Sequence, residues 1–148
     1  LQTFAVFLAL GVLGGKLGTL SVAVYLLLGA VGLPVFAGFQ GGLGALLGAT
    51  GGYLAGFLLT ALTVWGAERR LGKSAPVFLV SCLLGLALCY LFGSVWFAAV
   101  YAAASGPVGL AAVLGWCVFP FVLPDLAKLA LAVVLSRRLA AALARRTV

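Results

Sequence analysis

The chain has 148 residues, 66% of them hydrophobic and only 7% charged, with a formal net charge of +7. Ordinary soluble domains carry about 25% charged residues, and a soluble fold of this size would expose apolar patches large enough to aggregate. A water-soluble globule is therefore excluded, and a one-domain integral membrane protein is expected.

The positive balance does not point to nucleic acid. The basic residues are few, they flank apolar runs, and no basic–aromatic surface accompanies them. That is the pattern of topology-setting flanks.

A membrane helix needs about 20 apolar residues. Residues 1–15 give a first run, slightly short. The chain opens without methionine, already inside apolar sequence, and shows neither a charged n-region nor a cleavage site. It does not read as a signal peptide, and further sequence upstream is expected. Lys16 interrupts the run, and residues 17–33 form a second span closed by Pro34.

The next stretch, residues 34–51, which reads "PVFAGFQGGLGALLGAT" up to Gly51, is dense in glycine yet still apolar. Irregular backbone at membrane depth survives only where protein covers it or where it lines a cavity. A re-entrant lid or floor is therefore expected. The plainer alternative is close helix packing through small residues such as Gly48 and Gly52.

Residues 52–67 give a third span, ended by "ERRLGKS". A fourth covers 77–98, with Trp96 near one end, and "AAASGP" breaks the chain after it. The fifth covers 108–135, interrupted by Pro120 and Pro124, and ends at Arg137 and Arg138. No repeat is clear enough to argue an inverted-repeat transporter.

Placing Lys16 in the cytoplasm threads the chain outward at Pro34, inward at Glu68–Lys73, outward near Ser105 and inward at Arg137. Every lysine and arginine except Lys128 then lies inside, as the positive-inside rule requires. The first residue lies outside, so a sixth helix upstream is expected.

Several familiar chemistries fall away. "AERRLGKS" fits a permissive Walker A pattern, but a phosphate loop follows a strand and opens a helix. Here the stretch follows a membrane helix, holds one glycine and meets Pro76, so it reads as a connection. The serines have no histidine partner and no GxSxG elbow. Zinc would lack its usual ligands: there is no histidine, no CxxC pair, and Cys82, Cys89 and Cys117 read as small packing residues.

One pair of charges remains, inside "FPFVLPDLAKLALAVVL". Asp125 and Lys128 stand three apart and share a helix face. Counted back from Arg137 at 1.5 Å per residue, Asp125 lies about 18 Å from the inner boundary. That is the outer half of the hydrocarbon core. Pro124 suits the first turn of a helix, which would put Asp125 at the positive end of a half-helix dipole. A charge at the bilayer centre costs at least about 2.5–3.5 kcal/mol, and apolar replacements for buried pairs are often neutral or better. A functional role is therefore favoured over a bare structural ion pair. The two groups suit a ligand with N–H donors beside a carbonyl oxygen, such as a ureido ring; a zwitterion or a carboxylate fits the same chemistry.

These stretches, above all "YLLLGAVGLPVF", "GATGGY" and "LPDLAK", resemble the BioY family across nearly the whole chain. Members are the substrate-binding S components of energy-coupling factor (ECF) biotin transporters. The resemblance implies an all-α bundle of six transmembrane helices in the bacterial cytoplasmic membrane, with the first helix absent from this sequence. It implies biotin as ligand, bound from outside, with Asp125 and Lys128 in the polar part of the site. Phe36 and Tyr53 would pack on the ring sulfur and alkyl chain, while Gln40 and Thr50 would complete the hydrogen bonds. The bland role for those four is loop packing. The implied partners are a membrane coupling subunit and two ATPase subunits; no cofactor and no catalysis are implied. "GAT" stands where many relatives have "GPT", a local difference in loop geometry. Two other readings fit the residues less well: a proton-coupled or solitary small-molecule carrier using Asp125, and a lipid-modifying enzyme, for which no catalytic set converges.

Overall fold

The computed structural model describes residues 1–144; the side chains of residues 143 and 144 and the C-terminal residues Arg145 and Arg146, which belong to the predicted inner charge set, lie outside the described part. The architecture is all-α, with α1 (Gln2–Ala30), a 3-10 turn (Ala37–Phe39), α2 (Leu43–Leu47), α3 (Gly51–Leu71), α4 (Ala75–Ser105), α5 (Leu110–Cys117) and α6 (Phe119–Ala144). α4 and α6 are each long and apolar enough to cross a membrane, and α1 reaches that length only over its full 29 residues. Among the described residues the only strand-like pairing is an isolated bridge between Phe36 and Gln40.

α1 is not one rod. Gly14 adopts φ 77 and ψ 168 in its middle, a region open essentially to glycine alone. Beyond it the chain doubles back: a Cβ on Gly18 would fall 2.9 Å from the Leu10 Cα, and Gln2 donates to the Tyr25 hydroxyl. In a straight helix residues eight apart lie about 12 Å from one another. The limbs 2–13 and 15–30 are therefore antiparallel neighbours. The expected interruption falls at Gly14 rather than Lys16, because the reversal needs a backbone conformation and not a charge.

α3 and α4 pack along a seam of small residues at four-residue spacing. A Cβ on Gly52 would overlap the Trp96 side chain, one on Gly56 would approach the Cys89 Sγ to 2.6 Å, and one on Gly85 would approach the Thr60 Cα to 2.8 Å. Lipid supplies no hydrophobic drive for helix pairing, so close backbone approach through small residues takes its place. The Thr60 hydroxyl points its proton between the carbonyls of Gly56 (3.0 Å) and Gly85 (2.9 Å), linking the two helices.

Three boundaries differ from the sequence expectation. α3 and α4 run further, to Leu71 and Ser105, so Trp96 lies well inside its helix. The fifth span divides at Val118 into α5 and α6, two residues ahead of Pro120, which the first turn of a helix tolerates. Pro124 then lies inside α6. Asp125 is two turns into that helix, and the half-helix dipole expected at its position is overturned.

The charges separate by end. The Gly15 N–H donates to Glu68 Oε2 at 2.8 Å, Lys73 Nζ is 3.9 Å from the same oxygen, and Gly11 abuts Ser136, next to Arg137 and Arg138. Lys16, Arg69, Arg70, Lys73, Arg137 and Arg138 thus gather at one end of the bundle. Residues 31–50 and 106–118, at the other end, contain no charged side chain.

Candidate ligand-binding site

The uncharged end holds a cavity of about 590 Å³, within the range of small-molecule sites. α6 supplies Asp125 and Lys128 to its polar side, and α4 supplies Tyr90. The 34–51 segment contributes Phe36, Gln40 and Thr50, and the first turn of α3 contributes Tyr53. All six sequence-predicted site residues therefore border one hollow.

The glycine-rich segment is held down at several points. The Phe36 ring sits directly on Gly29, where any Cβ would overlap it, and meets the Tyr25 ring edge-on with centroids 5.5 Å apart. The Gly42 N–H donates to the Gly29 carbonyl at 2.6 Å, and the Phe36 N–H to the Gln40 carbonyl at 3.0 Å. Further along, Trp96 Nε1 donates to the Gly48 carbonyl at 2.9 Å. Both sequence expectations bear on this region: the stretch lines the cavity, and just beyond it Gly52 packs closely on the Trp96 side chain, whereas a Cβ on Gly48 would meet only the Gly44 and Ala45 carbonyls.

The acid–base pair is neither lipid-facing nor isolated. Lys128 Nζ donates to Asp125 Oδ1 at 2.7 Å. Thr3 Oγ1 donates to the same oxygen at 2.8 Å, and Lys128 also reaches Thr3 Oγ1 at 3.4 Å. The Tyr90 hydroxyl donates to Oδ2 at 2.6 Å. Asp125 is buried at 3% exposure. Among the residues bordering the cavity, Asp125 and Lys128 are the only charged side chains, so the polar end presents a neutralised pair.

Sequence reasoning missed Thr3 and Tyr90. Thr3 carries the one hydroxyl of the first limb and Tyr90 sits in an apolar helix, but neither signal identifies Asp125 as the acceptor. It also missed an aromatic wall of Phe97, Trp116 and Phe121, in which Tyr101 links Phe97 (5.7 Å) to Trp116 (6.2 Å). Cys117 borders the cavity as well, whereas Cys82 is fully buried packing. No cluster of metal-ligating side chains occurs among the described residues.

Known proteins resemble this chain over most of its length. The probable biotin transporter BioY of Pyrococcus horikoshii is 44% identical over 141 residues, which cover 94% of this chain and 78% of that protein. The biotin transporter BioY of Thermotoga maritima is 52% identical over 93 residues, 63% of this chain and 54% of its own length. A crystal structure at 2.1 Å of the S-component for biotin from an ECF-type ABC transporter superposes with a TM-score of 0.80 at 32% identity, covering 95% of this chain and 74% of that one. The profile of the BioY family matches residues 1–145, and the chain belongs to that family.

Proposed function

We propose that this chain captures biotin from the outer side of the cytoplasmic membrane and serves biotin uptake as the S component of an ECF-type ABC transporter. Membership of the BioY family supports the ligand and the transport role. The observation that carries the reading is the Asp125–Lys128 pair bordering a 590 Å³ cavity at the end of the bundle away from the other charges among the described residues. A bicyclic ureido ring presents a carbonyl acceptor and N–H donors to that end. Lys128 donates to the carbonyl, and Asp125 Oδ2 keeps one lone pair for an N–H. The alkyl chain lies along Phe36, Tyr53 and the aromatic wall, with Gln40 and Thr50 available for its polar terminus.

No covalent chemistry is involved. A membrane coupling subunit and two ATPase subunits drive the release step, with hydrolysis outside this chain. Calorimetric titration of the purified protein with biotin and desthiobiotin tests the reading. Saturable binding of biotin, weaker for the analogue lacking the sulfur ring, is expected; absence of biotin binding overturns it. For the partners, uptake in cells should stop when the ATPase subunits are deleted. Uptake that persists without them but collapses with an uncoupler would instead favour a proton-coupled carrier.

A further inference from the structure

The Asp125 carboxylate accepts hydrogen bonds from three elements at once. α6 supplies Lys128, the first limb of α1 supplies Thr3, and α4 supplies Tyr90. A carboxylate offers about four lone-pair sites, so only one stays open. Charge neutralisation alone needs just the ammonium at 2.7 Å. The two hydroxyls are neutral and add nothing to it.

Their contribution is orientation. The terminal torsion of an aspartate is broad and two-fold, and a lysine ammonium rotates freely on a flexible four-carbon stem. Held by Lys128 alone, the carboxylate could turn, and the ammonium would follow it. Thr3 on Oδ1 and Tyr90 on Oδ2 grip the two oxygens from two other helices and fix the carboxylate plane. Both hydroxyl residues border the cavity, so the plane they fix is the one a ligand meets.

We infer that Thr3 and Tyr90 are positioning residues for the ligand, acting through Asp125, and in the case of Thr3 also by accepting a Lys128 N–H directly at 3.4 Å, to aim the remaining Lys128 N–H into the cavity. This rests on the biotin reading above. It also accounts for a polar end that needs little rearrangement on binding, since preorganised groups lose less freedom when the ligand arrives.

The test is calorimetric titration with biotin of the wild type, Tyr90→Phe, Thr3→Val and Thr3→Ser, each with a melting temperature measured without ligand. Tyr90→Phe and Thr3→Val should each weaken binding about tenfold, the scale of one hydrogen bond to a charged group. Thr3→Ser, which keeps the hydroxyl, should bind within about twofold of the wild type by the same criterion. Melting temperatures should not track these losses. Wild-type affinity in both Tyr90→Phe and Thr3→Val overturns the inference alone, as does a Thr3→Ser loss equal to that of Thr3→Val. Affinity losses that track the melting temperatures across the set also overturn it, because they mark a structural role. No biotin binding by the wild type overturns the biotin reading and this inference with it.

Discussion

Lys128 and Asp125 face the cavity unequally: the lysine side chain keeps 25% of its surface exposed and the aspartate 5%. The ammonium is the outward partner, and the carboxylate is the buried anchor that holds it. Lys128→Ala should therefore weaken biotin binding at least tenfold and also lower thermal stability, because removing one member of a buried pair leaves an uncompensated charge worth about 3–5 kcal/mol. Asp125→Asn keeps the shape and should weaken binding markedly while the protein still folds. Titration of both variants checks this, and unchanged affinity in both would remove them from the site.

Gly56 and Gly66 lie in the same helix but in different surroundings. A Cβ at Gly56 would meet Cys89, whereas none at Gly66 would find any neighbour within 4 Å. Gly56→Val should force α3 and α4 apart and cost about 1–3 kcal/mol or more, the range for overpacked sites. Gly66→Ala should be neutral or stabilising by up to about 1 kcal/mol, through helix propensity. Paired thermal-melting curves in detergent distinguish the two sites, and equal effects would contradict the seam.

Glu68 is engaged far from the cavity, accepting the Gly15 N–H where the first hairpin turns. Glu68→Gln retains a carbonyl acceptor but loses the charge-assisted bond and the attraction to Lys73. A stability loss of about 1 kcal/mol is expected, with the biotin dissociation constant unchanged within about twofold, since the charge lies beyond a protein-filled bundle. A large affinity change would show that the two ends are coupled.

The cysteines offer a chemical probe of the cavity. Cys117 is part-buried and borders the hollow, while Cys82 is sealed in packing. A maleimide should label Cys117 well before Cys82, because thiol modification follows exposure. Saturating biotin should slow that labelling several-fold. Mass spectrometry of digested protein reads both, and faster labelling of Cys82 would contradict the described burial.

Much of the site could be read in the sequence because charge is so expensive in lipid. An acid and a base three residues apart in an apolar run leave few explanations, and a glycine-dense, mostly apolar stretch without a charged residue marks backbone that needs cover. Tyr90 and Thr3 could not be read that way. Tyrosine in a membrane helix is ordinary at interfaces, and threonine usually bonds a carbonyl one turn back, as Thr19 does to Gly15. Their partner is 35 and 122 positions away, information that only the fold carries. The misplaced helix start at Asp125 has a local cause: Pro120 and Pro124 both suit a first turn, and the chain uses the earlier one.

The separation of charge by end has a kinetic consequence. With no fixed charge on residues 31–50 or 106–118 and a self-cancelling pair beneath them, the mouth exerts no long-range pull on an anionic vitamin. Electrostatic steering fades as ionic strength rises; here there is little to fade. The association rate of biotin should stay nearly constant between dilute buffer and concentrated salt in stopped-flow measurements, and a steep decline would reveal a source of attraction outside this bundle.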